Sequence, residues 1–352
     1  MMCHTLYKHN LSGMLVLAWK CASLSIPCVL SSLNTNNSYS IIIKNKMGIS
    51  EKNYSSYKNK PSKVSDLRKE WSSCFERNKI PEPESSVKYI IEHVLQLNEP
   101  YQYDLEQNRE LTEDQERQFR TLCECRLARM PVQYIIKEWD FRDLQLTMSP
   151  PVFIPRPETE QLVDLVLEAA PPDGLFLEIG CGSGAICLSL LKALPKARVV
   201  AVDQSKMACQ LTSDNALRNN LTSNLQVICS KLKEDGSLSE PLPQEVNQVD
   251  VLVSNPPYVP ASQLVDLQPE IKLYEDLRAL EAGRDGLRVI KSLLLLAQSI
   301  LRPGGLIFLE VDTSHPKLIQ KWVADCPQLN ITFVKTVKDF CDKDRFVELR
   351  KL

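Results

Sequence analysis

Val249-Asp250-Val251-Leu252-Val253-Ser254-Asn255-Pro256-Pro257-Tyr258 is the stretch that decides the fold. Val251, Leu252 and Val253 make a short apolar run of the kind buried in the middle of a parallel sheet. Two prolines then remove the ladder donors and fix the backbone, so the strand stops there. Asn255, the last polar side chain before the stop, is therefore held at the carboxyl end of a strand, where open α/β sheets bind ligands. A Pro-Pro after a strand is by itself only a rigid turn. The tetrapeptide also carries a chemical logic. A planar amide or ring amine is a poor nucleophile while its lone pair is conjugated. The Asn255 side-chain oxygen and the Pro256 carbonyl can grip its two N–H groups, and Tyr258 can lie against its face.

A second stretch lies upstream, Leu175-Phe176-Leu177-Glu178-Ile179-Gly180-Cys181-Gly182-Ser183-Gly184. An apolar strand runs into Gly-x-Gly-x-Gly, and an apolar helix from Ile186 to Leu194 follows. Glycines let the chain turn sharply and let a ligand approach the backbone. The spacing differs from the Gly-x-Gly-x-x-Gly of dinucleotide binders, and Glu178 precedes the first glycine, which suits a cofactor with a cationic centre and no pyrophosphate. Val199-Val200-Ala201-Val202-Asp203 then ends in an acid about 20 residues on, the distance at which a carboxylate reaches ribose hydroxyls in this unit. Each signal alone is weak; their combination in this order is specific.

These motifs resemble those of S-adenosylmethionine-dependent methyltransferases. Ile154-Pro155-Arg156-Pro157-Glu158-Thr159-Glu160 narrows the resemblance to the HemK/PrmC type, the release-factor glutamine methyltransferases, over residues from about Val64 to the C-terminus. Gln268-Pro269-Glu270 and Asp285-Gly286-Leu287 sit where that family has similar segments, and Pro131-Val132-Gln133-Tyr134-Ile135-Ile136, Asn-Pro-Pro-Tyr-Val and Phe308-Leu309-Glu310-Val311-Asp312 look most like the animal mitochondrial form. The resemblance implies a seven-stranded, Rossmann-like class I methyltransferase domain with its last strand reversed, preceded by a small helical domain. It implies S-adenosyl-L-methionine as cofactor and peptide chain release factors as partners, methylated on the glutamine of a Gly-Gly-Gln loop. Carried onto this chain, the cofactor contacts fall on Gly180, Cys181, Gly182, Ser183, Gly184, Asp203 and Asn255. The substrate contacts fall on Asn255, Pro256, Pro257 and Tyr258, with Asn255, Pro256 and Tyr258 as the catalytic set. Arg156 is placed beside the cofactor carboxylate or the site acids. Two departures stand out. Lys137 replaces a usual glycine, and Ser230-Lys231-Leu232-Lys233 stands where many such enzymes have an acid for the adenine amino group.

Composition bounds the alternatives. The chain has 352 residues, 43% of them hydrophobic, with formal net charge -2. That size holds one large domain and a small one. The near-neutral charge argues against an adenine-N6 nucleic-acid methyltransferase, the rival that shares Asn-Pro-Pro-Tyr, because such an enzyme needs a basic track and access to an extruded base. A non-catalytic binding protein on the same fold is the other alternative. Twelve cysteines are scattered, no Cys-x-x-Cys occurs, and only His93 and His315 lie beyond residue 60, so no metal site is expected.

The organisation expected is a targeting extension over 1–60, a helical substrate-binding domain over 61–131, a hairpin linker over 132–149 and the methyltransferase domain over 150–352. No Asp or Glu precedes Glu51, while Ser, Asn and Lys are plentiful. That composition suits a mitochondrial leader, with a secretory signal or translation from Met47 as alternatives. Val64, Leu67, Trp71 and Phe75 recur at helical spacing, as do Val87, Ile90, Ile91, Val94 and Leu95. Thr112 and Gln115 predict a capping box. Gln133 to Met148 alternate like a hairpin. Val259 to Ala282 lack a period and read as a covering loop. Leu287 to Leu301 predict a helix, and Asn330–Val337 with Arg345–Arg350 a terminal antiparallel pair.

Overall fold

The computed structural model describes residues 62–97, 101–244, 246 and 248–352, which belong to one compact unit. The extension over 1–60 lies outside the described residues. The N-terminal part is helical: α1 (Val64–Arg77), α2 (Pro83–Leu95), a short α3 (Gln102–Leu105) and α4 (Glu113–Leu127). The apolar faces of α1, α2 and α4 close on one another, with Trp71 edge-on to Phe75 at 5.8 Å and to Phe119 at 6.2 Å. The expected capping box starts α4: Gln115 N–H donates to Thr112 Oγ1 at 3.3 Å, and Thr112 N–H donates to Gln115 Oε1 at 3.1 Å.

The connector departs from expectation. Val132–Ile136 forms a short helix, α5, and the hairpin occupies only β1 (Glu138–Phe141) and β2 (Leu144–Thr147). Pro131 starts the turn by accepting from Tyr134 and Ile135 N–H. A five-residue apolar run does not distinguish one helical turn from a strand by period. Lys137 ends α5 in the left-handed region at φ 64. That is the conformation a glycine adopts there without cost and a lysine does not.

The rest is a doubly wound α/β layer structure. After α6 (Glu158–Ala169) come β3 (Leu175–Ile179), α7 (Ala185–Ala193), β4 (Arg198–Asp203), α8 (Lys206–Arg218), β5 (Leu225–Cys229) and β6 (Val249–Ser254). A cover follows, containing a short helix α9 (Pro269–Tyr274) where a loop without period was expected. Then come α10 (Arg288–Ile300), β7 (Leu301–Glu310), α11 (His315–Asp325), β8 (Ile331–Lys338) and β9 (Asp344–Lys351). The sheet order is β5-β4-β3-β6-β7-β9-β8, parallel except for β9, which runs antiparallel to both neighbours. The seven-stranded sheet with a reversed last strand is thus the expected architecture.

Strand alternation assigns the faces. Leu175, Leu177 and Ile179 of β3, with Ile307 and Leu309 of β7, pack against α10 and α11 in one apolar core. The intervening residues of the same strands, Glu178, Phe308 and Glu310, face the opposite layer, where α6 and α7 lie. Two buried acids therefore end β3 and β7, one on each side of β6.

Candidate functional site

A cleft of ≈ 650 Å³ opens at the carboxyl ends of β3, β4, β5 and β6. That size falls in the roughly 300–1,000 Å³ range of small-molecule sites. Its walls include Gly180, Cys181, Gly182, Ser183, Asp203 and Asn255. The expected substrate residues Pro256, Pro257 and Tyr258 border the same space. Gly184 does not border it; this residue sits one step further, at the N-cap of α7.

The glycine loop has the backbone that its composition predicts. Gly182 takes φ 56 with open space where a Cβ would be, so the residue is required by its conformation and leaves room for a ligand. Gly184 has φ 87, and a Cβ there would meet Leu188 at 3.0 Å and Thr212 at 3.1 Å. Gly180 N–H donates to the Val202 carbonyl at 2.7 Å, which fastens the loop to β4. Asp203 tightens the same joint. Its Oδ2 accepts from Gly182 N–H at 3.1 Å and its Oδ1 from Ser205 N–H at 2.8 Å. Burial raises the Asp203 carboxyl above its ordinary value, and the two backbone donors oppose that rise. Glu178 Oε2 accepts from Cys187 N–H at 2.9 Å, and burial pushes its carboxyl up to about 8.

The strand end of β6 is held from both sides. Ser254 Oγ donates to the Ile179 carbonyl at 2.6 Å, tying β6 to β3. Asn255 Nδ2 donates to Thr159 Oγ1 at 3.2 Å on the first turn of α6. Thr159 Oγ1 in turn donates to Glu310 Oε2 at 2.7 Å. Burial raises the Glu310 carboxyl to about 7, against the pull of Thr159, Arg345 and Asn255. Tyr258 stays a neutral phenol, its value pushed up to about 12 by burial and then by Glu310.

Thr159 and Glu310 are the site residues that sequence reasoning passed over. A signal existed: β3, β4 and β7 each end an apolar run in an acid, and the acid of β7 is Glu310. Arg156 does not itself line the cleft. Its Nη2 pairs with Glu275 Oε1 at 2.8 Å, and its guanidinium stacks on Phe153 at 4.8 Å. Ser230, Lys231, Leu232, Lys233 and Glu234 line the far end of the cleft, beyond Asp203. No group of metal-ligating side chains occurs among the described residues.

The cleft fits S-adenosylmethionine on these observations. Asp203 offers carboxylate oxygens at the mouth of a glycine loop, suited to ribose hydroxyls. Glu178 borders the cleft beside Gly180 and supplies a carboxyl that a sulfonium would favour in its ionised form. The open space above Gly182 admits a ligand against the backbone.

The family model of the PrmC N-terminal domain matches residues 66–136, and that of the methyltransferase small domain matches residues 157–271. A human release factor glutamine methyltransferase is 43% identical over 304 residues, covering 82% of this chain and 88% of that protein. A release factor glutamine methyltransferase of Thermodesulfovibrio yellowstonii is 34% identical over 266 residues, covering 74% of this chain and 90% of that protein. Among solved structures, a methyltransferase from Pyrococcus furiosus aligns with TM-score 0.43 and 20% identity, covering 59% of this chain and 89% of that one.

Proposed function

The chain belongs to the release factor glutamine methyltransferases, and from that premise we propose how its own residues perform the reaction and where in the cell they do so. The activity is N5-methylation of a glutamine in a peptide chain release factor, with S-adenosylmethionine as donor. The glutamine is that of the Gly-Gly-Gln loop. Gly180, Cys181, Gly182 and Ser183, with Asp203, hold the donor, and Gly184 shapes the end of their loop. When bound, the donor supplies an electrophilic methyl group.

Asn255 and Pro256 prepare the nucleophile. An amide nitrogen is planar and its lone pair is delocalised into the carbonyl. Two acceptors aimed at its N–H groups, Asn255 Oδ1 and the Pro256 carbonyl, place that nitrogen and enrich its electron density. Tyr258 fixes the face of the amide plane. The protein gains rate chiefly by orientation, which can recover roughly 7–11 kcal/mol of barrier, with the polarising acceptors adding to it. Asn255 also borders the donor, so its position sets the approach of the two reactants.

One observation carries this reading. Asn255 Nδ2 is committed to Thr159 Oγ1 at 3.2 Å, so the side-chain oxygen is the atom left for the cleft. The test is methyl transfer from labelled S-adenosylmethionine to a release-factor domain with its Gly-Gly-Gln loop, with duplex DNA in parallel. Label on the loop glutamine is expected; label on adenine instead overturns the reading.

The segments 61–131, 132–149 and 150–352 act as substrate-holding helices, connector and catalytic domain. The composition of 1–60, free of Asp and Glu before Glu51, supports mitochondrial import. A chain beginning near Lys60 is expected to methylate normally in vitro and to miss mitochondria in cells; unchanged localisation refutes the leader.

A further inference from the structure

Asn255 is the outer member of a chain of three polar side chains that runs into the protein. Thr159 is 3% exposed and Glu310 2%, and Glu310 does not border the cleft. The donors and acceptors along this chain are not interchangeable. An ionised carboxylate only accepts, whereas a hydroxyl has one proton to donate and lone pairs to accept with. With its proton given to Glu310 at 2.7 Å, Thr159 has only lone pairs to offer Asn255. The Asn255 amide must then turn its nitrogen inward, at 3.2 Å from Thr159, and its oxygen outward.

An asparagine amide is nearly symmetric in shape, so packing alone does not choose between its two orientations. The flipped form would present N–H groups to the substrate N–H groups, donor against donor, and the grip would be lost. We propose that Glu310 is a positioning residue for methyl transfer, setting the polarity of the Asn255 amide through Thr159 so that oxygen rather than nitrogen meets the substrate amide. The inference rests on the glutamine-methylation reading given above.

The lock requires an ionised Glu310. A protonated carboxyl can itself donate to Thr159, which frees the hydroxyl proton to point at Asn255 and permits the flipped amide. Burial favours the protonated form and places the group near 7. The charges that act on Glu310 are Arg345, which holds the group down, and Glu158, which lifts it. Tyr258, its other titratable neighbour, is neutral in this range. The free-enzyme quantity kcat/KM should therefore rise as pH rises through about 7.

The experiment compares wild type with Glu310→Gln, Thr159→Val and Thr159→Ser. A glutamine at 310 fits the space but can donate as well as accept, so both amide orientations become available. Glu310→Gln should lose about tenfold or more in kcat, short of the roughly 10²–10³ that a polarising contact is worth outright, with S-adenosylmethionine affinity by calorimetry little changed. Its kcat/KM should no longer climb through pH 7. Thr159→Ser should keep most activity and the pH limb, and Thr159→Val should lose both. A second readout needs no turnover: the Asn255 side-chain amide protons, read by NMR, should exchange slowly in wild type and faster in Glu310→Gln and Thr159→Val. If Glu310→Gln does not fold, as judged by its thermal transition, the Thr159 pair decides. Wild-type rates and pH profile in Glu310→Gln or Thr159→Val overturn the inference while leaving the glutamine reading intact. A fully active Asn255→Ala would instead overturn that reading.

Discussion

Glu270 offers a demanding test of how the helical part is tied to the catalytic cleft. It lies on α9, in the cover that follows Asn-Pro-Pro-Tyr, and it is 7% exposed. Its Oε1 accepts from Arg126 Nη1 at 3.0 Å and from Arg129 Nη1 at 3.3 Å, both at the end of the N-terminal helical part. Arg126 is 4% exposed, and its remaining donors reach Ser86 Oγ, Met130 O and Pro81 O. Burial lowers the Arg126 value, and Glu270 does most to restore it. Glu270→Met removes the only carboxylate in this set and leaves the Arg126 charge buried. Breaking a pair in this way costs about 3–5 kcal/mol, whereas replacing both partners with apolar groups is often close to neutral. Since a domain is stable by only about 5–15 kcal/mol, the single change should be conspicuous. Arg129 suffers less, because it is more exposed and also donates to the Lys79 and Asn78 carbonyls. Urea denaturation of Glu270→Met, Arg126→Met and the double variant gives the coupling directly. Both singles should be strongly destabilised and the double less so than their sum. Where Glu270→Met still folds, KM for the release-factor domain should rise while S-adenosylmethionine affinity holds. Singles within about 1 kcal/mol of wild type, or strictly additive effects, would refute the reasoning.

Further predictions concern the cofactor end and the buried acids. Asp203→Ala should weaken S-adenosylmethionine binding about ten- to hundredfold, because hydrogen bonds to charged groups contribute roughly 1.5–3 kcal/mol. It should also loosen the glycine loop, whose Gly182 N–H it holds. Unchanged binding by calorimetry would remove Asp203 from the site. Glu178 and Glu310 have folded values near 8 and 7 against 4.5 in the unfolded chain, so the folded state keeps protons that the unfolded state has lost. Their contribution to stability is present below about pH 4.5 and is lost as pH rises to about 8. His93 and His315, lowered by burial from 6.5, oppose this trend in the acid part of the range. The comparison is therefore between wild type and Glu178→Gln/Glu310→Gln. Without donor bound, wild type should lose stability relative to the double variant between pH 5 and 8, read as urea midpoints, and the reverse slope would contradict the assignment.

Much of this site was legible in the chain because its signals are local. The β-branched run ahead of Pro256 and Pro257 announces where β6 stops. Gly180, Gly182 and Gly184 announce a loop that needs positive φ, and Asp203 follows at the spacing of a β-α-β unit. Thr112 and Gln115 sit three residues apart, so their mutual cap needs no tertiary information. The unread parts depend on distant partners. Thr159 and Glu310 are 151 positions apart, and Arg126 and Glu270 are 144 apart. No period or spacing pairs such residues; only the layering of α6 over β7, or of α4 against α9, does so. Helix α9 is too short to show a period, although Pro269 at its first position is a recognised start signal. Lys137 was visible as an oddity, and its φ of 64 explains why glycine suits the position.

The central claim is that the Asn255 side-chain oxygen accepts from the substrate amide. The direct measurement is the single-turnover methylation rate of the Gly-Gly-Gln glutamine by Asn255→Ala and Asn255→Asp, with S-adenosylmethionine affinity determined for each. Asn255→Ala should bind the donor and lose on the order of 10²–10³ in rate. Asn255→Asp, which keeps an acceptor oxygen, should recover part of that rate. Methylation by Asn255→Ala at the wild-type rate would contradict the account.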